Sequence, residues 1–321
     1  MKKLPPLVLL FLAQIINSQV YTVVDSIQNT PISYATISFG NGNGTFADAD
    51  GNFSFSKKWH PDIDILYISS VGYIEKAIPT ATIPKTIVLT ESIDQLNEVL
   101  ITAEKKKKYK IKKLLSETHD DYFKCWLPTV ESEIAVFFAK DPEKSSKIAS
   151  VYLPVKTDDS NKNSSRNPPF STLFKMQFYT NNNGYPEKRL PYDDIIFLVS
   201  DQDKSSFELD VSEHKIFIPK EGIFVSIQVL GYADKNGKLQ QTKKYSQIET
   251  RKGIVKVSTT FRPLLPFTDK ISGYKTFTRR IFYKNREWQR FDKEYSTTNN
   301  LIKNNNTNYG MGLRLHLFEE E

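Results

Sequence analysis

Asp48, Asp50 and Asn52 place oxygen-bearing side chains at every second position of the stretch GTFADADGNFSF. A calcium-binding loop with this spacing also needs a glycine at position 6 and a glutamate at position 12. Counted from Asp48, the glycine position holds Phe53 and position 12 holds no acid, while the frame that puts Gly51 at position 6 begins on an aromatic residue. We therefore expect no metal here. We expect Asp48, Asp50 and Gly51 to form a structural turn, because Asp bonds nearby backbone and Gly accepts positive φ.

Other residue types that could support catalysis are scattered along the chain. The motifs Gly-x-Ser-x-Gly, Cys-x-x-Cys and His-Glu-x-x-His do not occur, and the four histidines are isolated. His316 and Glu319 have zinc-peptidase spacing, but too few residues follow them to supply a third ligand. Asp193 and Asp194 are adjacent before a predicted strand, so they should face opposite sides. We expect no catalytic residue, no metal and no cofactor.

The first residues predict export. Lys2 and Lys3 precede an apolar run, Leu7 to Ile16, and the small residue Ser18 follows it. This order is typical of a signal peptide over residues 1–18, and no run is long enough for a transmembrane helix. The protein is expected in the periplasm, in the outer membrane or at the cell surface.

The charge and cysteine content narrow the expected partners. With Cys125 as its single cysteine, the chain has no intrachain disulfide and must rely on its cores. Its net charge is +7, and the basic excess is concentrated in EKKKKYKIKK, residues 104–113. Such a run, with few aromatic residues, favours a solvated linker over a nucleic-acid site. Peripheral contact with anionic lipid at the outer membrane is the second interpretation.

Period-two alternation runs through most of the chain after the signal peptide. Short segments rich in Val, Ile, Tyr, Phe and Thr are broken by Asn, Gly, Asp and Pro about every ten residues, which indicates an all-β fold. The turn at Asp48 to Gly51 would return the chain into a strand with Phe53 and Phe55 on one face.

The first part of the chain resembles a known family. The blocks VVD, ATI, GTFADADGNFSF, ISSVGY, IVLTES and LNEVLITA occur in this order between Val20 and Ala103. They resemble the carboxypeptidase regulatory-like domain, a transthyretin-like β-sandwich common in envelope proteins of Bacteroidetes and often placed ahead of outer-membrane receptors. The resemblance implies an accessory sandwich over residues 19–103 that has no catalytic residues of its own.

Residues 104–128 are interpreted as a basic linker and a short helix. Ile111, Leu114, Leu115 and Tyr122 recur at helical spacing, and Pro128 ends the pattern. Cys125 and Trp126 are expected to be packing residues.

Residues 129–321 are predicted to form a second β-rich domain. Part of it resembles a jelly-roll-like sandwich found after the regulatory-like domain in some envelope proteins. The loop TNNNGYPEKRLPYDD is the predicted binding surface, since Tyr185 and Tyr192 offer flat faces beside polar donors.

We expect a non-catalytic envelope protein whose two sandwiches contact a protein or a glycan. Two alternatives remain at this point. One is a small outer-membrane barrel after the accessory domain, compatible with the alternation of Phe174, Met176 and Phe178 with Lys175, Gln177 and Tyr179. The other is a hydrolase whose site has no recognisable motif.

Overall fold

The computed structural model describes residues 19–92, 108–157, 169–240, 245–250 and 253–319. The predicted signal peptide and residues 104–107 of the lysine run lie outside these residues. Within them, no helix has the length and apolar character required to cross a bilayer.

The first part of the chain contains seven strands and one 3₁₀ helix. The strands are β1 (Gln19–Asp25), β2 (Thr36–Ser38), β3 (Gly44–Phe46), β4 (Asn52–Phe55), β5 (Ile65–Ser69), β6 (Lys76–Pro79) and β7 (Thr86–Leu89), and the 3₁₀ helix is Thr80–Thr82.

The second part begins at β8. Its strands are β8 (Tyr109–Leu114), β9 (Cys125–Trp126), β10 (Ser132–Phe138), β11 (Lys144–Pro154), β12 (Ser171–Asn182), β13 (Tyr185–Arg189), β14 (Ile195–Ser200), β15 (Ser206–Asp210), β16 (Ile223–Tyr232), β17 (Tyr245–Thr250), β18 (Gly253–Ser258), β19 (Leu265–Thr268), β20 (Thr276–Arg280), β21 (Gln289–Arg290), β22 (Asn308–Tyr309) and β23 (Gly312–Glu319). Short helices are α1 (Asn300–Lys303) and the 3₁₀ helices Tyr122–Lys124 and Ser212–His214.

The N-terminal strands form a two-sheet sandwich. One sheet has the order β4-β1-β7, with β1 and β7 parallel, and the other has the order β3-β2-β5-β6. Alternating side chains from both sheets fill the space between them, among them the fully buried Val23, Ile37, Leu66, Ile68 and Ile87. Burial of these side chains stabilises the sandwich, at roughly 1.5–3 kcal/mol for each.

The second part is a larger sandwich. A seven-stranded sheet, β13-β12-β16-β10-β20-β21 with β14 also paired to β12, faces a four-stranded sheet, β15-β11-β23-β8. One apolar core contains side chains from both, such as Phe174 and Val225 from the larger sheet and Val151 and Leu313 from the smaller. The small sheet β22-β19-β9 and the hairpin β17-β18 complete the strands. The all-β prediction is confirmed.

The two faces of the seven-stranded sheet differ in chemistry. On β12, Phe174, Met176 and Phe178 enter the core, so Lys175 and Gln177 point to the other face. At these two positions the outer face is covered, because both polar residues are buried there.

The helix predicted from Ile111 to Tyr122 is wrong over its first turn, because the chain forms strand β8 as far as Leu114. The helical part of this segment is the 3₁₀ helix Tyr122–Lys124. Leu114 pairs with Leu313 and Tyr109 with Phe318, so β8 is the edge strand of the four-stranded sheet. All of β8 except Leu114 is exposed, and the spacing of its apolar residues therefore carried no information on burial. The second sandwich consequently includes β8 and β9, ahead of the boundary expected at residue 129.

Candidate binding cleft between the two sandwiches

The turn from Asp48 to Asn52 is organised by one carboxylate. Asp48 Oδ1 accepts the N–H groups of Asp50 at 3.0 Å and Asn52 at 2.9 Å. Gly51 has φ +72°, and an added Cβ would lie 2.7 Å from the carbonyl oxygen of Val23. The oxygens of Asp48 thus serve the backbone and one lysine, Lys238, whose Nζ lies 3.3 Å from Asp48 Oδ2.

Lys238 belongs to the second sandwich, and its ion pair is one of several contacts between the two halves. The carbonyl of Phe282 accepts hydrogen bonds from Gly42 N–H at 3.0 Å and from Ser38 Oγ at 2.9 Å. Gly42 leaves no room for a side chain, since an added Cβ would lie 2.4 Å from the ring of Tyr283. The backbones of the two halves therefore meet directly.

An apolar cluster lies beside these hydrogen bonds. Phe46 from β3 packs on Phe282 at a ring distance of 5.4 Å. Leu173, Leu230 and Ile281 of the second half join the same buried cluster. The interface thus has a dry centre, and Arg286 adds an ion pair with Glu75 at 2.6 Å near its margin.

A cleft of about 310 Å³ opens where the sandwiches meet. Its volume is at the lower end of the roughly 300–1,000 Å³ typical of ligand sites. The N-terminal wall is made by β3 and β4, the edge strands of their two sheets, and the opposite wall comes from the second sandwich. The lining residues are Val20, Gly44, Thr45, Phe46, Asp48, Asn52, Phe53, Ser54, Val130, Leu230, Lys238, Leu239 and Gln240.

Behind Phe46, a buried lysine joins the two halves. Lys175 Nζ donates to the carbonyl of Tyr34 at 2.8 Å and lies 3.4 Å from Asp194 Oδ2. Arg189 forms a second ion pair with Asp194. Burial raises the pKa of Asp194, but Lys175 and Arg189 outweigh it and hold that pKa below its ordinary value.

The ionic network continues across the same face of the sheet. Arg279 donates to Glu133 Oε2 from Nη2 at 2.7 Å and from Nε at 2.8 Å. Glu133 Oε1 accepts from Ser226 Oγ at 2.6 Å, and the Tyr179 hydroxyl lies 2.9 Å from it. Burial and the carboxylate of Glu133 act in opposite directions on Arg279, and the carboxylate prevails, so the pKa of Arg279 is raised. The guanidinium also lies over the Trp288 ring at 4.4 Å.

The alternation on β12 was the one sequence signal for this network. It showed Lys175, Gln177 and Tyr179 on a common face, but it did not show that the N-terminal half covers part of that face. None of the three lines the cleft. Their polar groups bond other buried groups, which makes the network a structural element of the interface.

The N-terminal sandwich is similar to a known domain family. Residues 22–101 match the model of the CarboxypepD_reg-like domain. The chain carries a CarboxypepD_reg-like domain. This type of domain is a β-sandwich and is commonly non-catalytic. A search of curated proteins found no match to the chain.

The structure separates the two tyrosines predicted to bind ligand. Tyr185 packs against Phe277 on the outer face of the seven-stranded sheet, at a ring distance of 5.1 Å. Tyr192 packs against Phe178 of the core at 5.7 Å, and its hydroxyl accepts the N–H of Phe217. They therefore do not form one surface, and neither lies in the cleft beside the CarboxypepD_reg-like domain.

Part of the segment interpreted as a binding loop is a hairpin. Strands β12 and β13 are joined by Asn183 and Gly184, which have φ of 49° and 85°. Two successive positive φ values with the sequence Asn-Gly are the signature of a tight β-hairpin turn. The Asn183-Gly184 pair is the signal for this turn in the sequence.

The remaining reactive side chains are distributed over both halves. In the CarboxypepD_reg-like domain, His60 packs on Phe39 and Phe55, and burial lowers its pKa. Burial raises the pKa of the Cys125 thiol to about 12, which keeps it protonated and unreactive. Asp193 is exposed while Asp194 joins the ionic network, so they do not face each other. Among the described residues, no group of three or more His, Cys, Asp or Glu could hold a metal ion.

Proposed function

We propose that the protein is an exported, non-catalytic component of the cell envelope that binds a protein or a glycan in the cleft between its two sandwiches. The proposal rests on the observation that both sandwiches contribute residues to the walls of this cleft. A site of this kind exists only while the halves are held together. Hydrogen bonds hold the two sandwiches together: Gly42 and Ser38 donate to the carbonyl of Phe282, and the buried Lys175 donates to the carbonyl of Tyr34.

The lining supports binding rather than catalysis. Apolar side chains such as Leu230 and Leu239 line one wall, and the other wall includes the polar residues Thr45, Asn52 and Ser54. The charged lining groups, Asp48 and Lys238, neutralise each other at 3.3 Å. A cleft with this lining provides apolar contact surface and hydrogen-bonding groups, which suit recognition of a neutral ligand.

A cleft-blocking variant tests the proposal. Leu239→Arg places a long charged side chain in the cleft, and Ile254→Arg makes the same change at an exposed site on β18. The purified full chain is screened against neutral envelope oligosaccharides and a random peptide library. We expect ligands that Leu239→Arg abolishes and Ile254→Arg retains. Ligands that bind both variants equally, or no ligand at all, would refute the cleft as the site.

Export and location are tested separately. The charged, apolar and small-residue order of residues 1–18 supports cleavage after Ser18. Mass spectrometry of the envelope-associated protein should therefore find Gln19 at its N-terminus, and cell fractionation should place the protein in the periplasm or outer membrane. An intact Met1 in the cytoplasmic fraction contradicts this part of the proposal.

A second candidate is peripheral contact with an anionic membrane surface. Strand β8 supports it, because Lys110 and Lys113 are exposed on an edge strand beside the exposed Tyr109 and Ile111. Sedimentation with anionic vesicles, compared with neutral vesicles, tests it. Binding that falls with added salt and with Lys113→Glu supports the contact, and equal sedimentation with both vesicle types contradicts it.

A further inference from the structure

We propose that the ligand of the cleft is an extended, uncharged peptide segment, which adds to β4 as a further strand. This inference rests on the proposed function, since it names the ligand class of the same cleft. It follows from the hydrogen-bonding groups that β4 directs into the cleft, from the opposite wall, and from a comparison with β8.

Strand β4 lies at the edge of its sheet, and its residues Asn52, Phe53 and Ser54 line the cleft. Asn52 turns its backbone away from β1: its N–H donates to Asp48 Oδ1, and its carbonyl accepts the N–H of Asp48 at 2.8 Å. In an antiparallel pair, backbone groups alternate between facing the partner and facing away. Ser54, two residues further, therefore also directs its N–H and carbonyl away from β1. Within the described residues, no strand pairs with that side of Ser54.

The paired arrangement of this donor and acceptor favours a peptide. A backbone N–H and carbonyl on one residue of an edge strand match the carbonyl and N–H of one residue on an incoming strand. The side chain of Ser54 is half-buried, and the opposite wall carries Leu230 and Leu239. A bound strand would therefore present an apolar side chain to that wall at alternate positions.

The charges indicate that the bound segment is neutral. Lys238 is already paired with Asp48 at 3.3 Å and lies 3.9 Å from Asp50 Oδ2. An acidic segment would meet these two carboxylates, and a basic one would meet Lys238. Neither gains an unpaired opposite charge among the lining residues.

A comparison with β8, an edge strand of the second sandwich, supports the distinction. Proteins protect edge strands with lysines, which repel a further strand. Strand β8 carries Lys110, Lys112 and Lys113, whereas β4 reads Asn-Phe-Ser-Phe and carries no charge. The edge of β4 is screened by the walls of the cleft instead, and a wall of this kind admits a single extended segment while it excludes a whole sheet.

The test uses a phage-displayed library of random heptapeptides, selected on the purified full chain. Affinities of enriched peptides are measured by fluorescence polarisation against the wild type, Ser54→Pro and Ser54→Ala. Proline removes the N–H that faces the cleft, and an edge strand tolerates proline where that group faces outwards. Alanine removes only the hydroxyl and serves as the matched control. We expect at least a tenfold weaker Kd for Ser54→Pro and less than a twofold change for Ser54→Ala.

A second measurement leaves the protein unchanged. Single backbone N-methyl groups are introduced along the best peptide, one position at a time. A strand bonded to β4 should lose affinity at every second position, because only alternate N–H groups face β4. This scan decides the question even if Ser54→Pro does not fold.

The outcomes separate this inference from the proposed function. Enriched peptides that bind Ser54→Pro as tightly as wild type, or an N-methyl scan without alternation, would overturn strand addition. Neutral oligosaccharides that bind in a Leu239-dependent manner, with no peptide enriched, would also overturn it while the proposed function stands. If neither a peptide nor an oligosaccharide is found whose binding is lost in Leu239→Arg, both proposals are refuted.

Discussion

Lys175 of β12 donates a hydrogen bond to the carbonyl of Tyr34, across the boundary between the second sandwich and the CarboxypepD_reg-like domain. The ammonium is buried, lies 3.4 Å from Asp194 and is 5.6 Å from the centre of the Phe46 ring. Burial lowers the pKa of Lys175, so these partners compensate for a desolvation cost. Because Tyr34 is one of the partners of this buried ammonium, the position of the N-terminal sandwich affects the stability of the second sandwich.

Lys175→Met should uncouple the two halves. The variant loses the bond to Tyr34 and leaves Asp194 with Arg189 as its remaining cation, so we expect a stability loss of about 3 kcal/mol. In calorimetry the CarboxypepD_reg-like domain should then unfold in a separate, earlier transition. Lys113→Met, at an exposed position on β8, is the control and should behave as wild type. A single transition at the wild-type temperature would contradict the coupling.

Glu133→Gln should be strongly destabilising. Glu133 is fully buried and is the carboxylate paired with Arg279 at 2.7 Å. Its neutralisation leaves the guanidinium of Arg279, whose side chain is 20% exposed, without a counter-charge, a defect worth roughly 3 kcal/mol. The comparison is Glu208→Gln, because Glu208 pairs with Arg314 at a solvent-exposed site and should cost less than about 1 kcal/mol. Urea unfolding measures the free energy of unfolding of both variants. Equal losses would show that the burial of Glu133 does not determine how much it contributes to stability.

Gly51→Ala should cost more than Gly72→Ala. Both glycines have positive φ, +72° and +74°, so both substitutions carry a backbone penalty of about 1 kcal/mol. A Cβ at Gly51 also meets the carbonyl of Val23 at 2.7 Å, whereas nothing lies within 4 Å at Gly72. We expect a further loss of about 1–3 kcal/mol for Gly51→Ala. Thermal denaturation of the two variants gives the difference, and equal midpoints would contradict the close approach to Val23.

Acid should weaken the interface through Asp194. The pKa of this group is lower in the folded chain than the ordinary value of 3.8, because Lys175 and Arg189 outweigh the effect of burial. Its contribution to stability is complete above the unfolded pKa and is lost as the pH falls below about 4, towards the folded pKa. Asp194→Asn should therefore lower stability at pH 7 by about 1–3 kcal/mol and flatten the decline between pH 5 and pH 3.

The matched control for this pH effect is Asp193→Asn. Asp193 is adjacent in the chain but exposed. Its variant should retain the wild-type decline in urea unfolding experiments. If Asp193→Asn and Asp194→Asn flatten the decline equally, the ion pairs of Asp194 are not its source.

The sequence predicted the features that depend on local chemistry. Period-two alternation gave the all-β class, and the match at residues 22–101 agrees with the family resemblance found in the residue blocks. The ionic network could not be predicted, because the structural role of Lys175 depends on a hydrogen bond to Tyr34, which is 141 positions away in the chain. The cleft has the same origin: Ser54 and Leu239 meet only when the two halves pack.

The prediction of a helix in place of strand β8 was wrong for a different reason. A strand inside a sandwich alternates between buried and exposed side chains, and that alternation is the signal in the sequence. Tyr109 and Ile111 are both exposed on β8, and so are the lysines between them. Backbone pairing with β23 alone makes this segment a strand, and pairing of that kind leaves no pattern in side-chain polarity.

The position of β8 also governs how the protein can be divided. A fragment that begins at Thr129 lacks β8 and leaves the hydrogen-bonding edge of β23 open along Leu313, Leu315 and Leu317. An open backbone edge of that length is a template for pairing with other molecules, so we expect the fragment to self-associate. A fragment that begins at residue 108 keeps the lysine-bearing strand in place and ends the sheet in a form that resists aggregation.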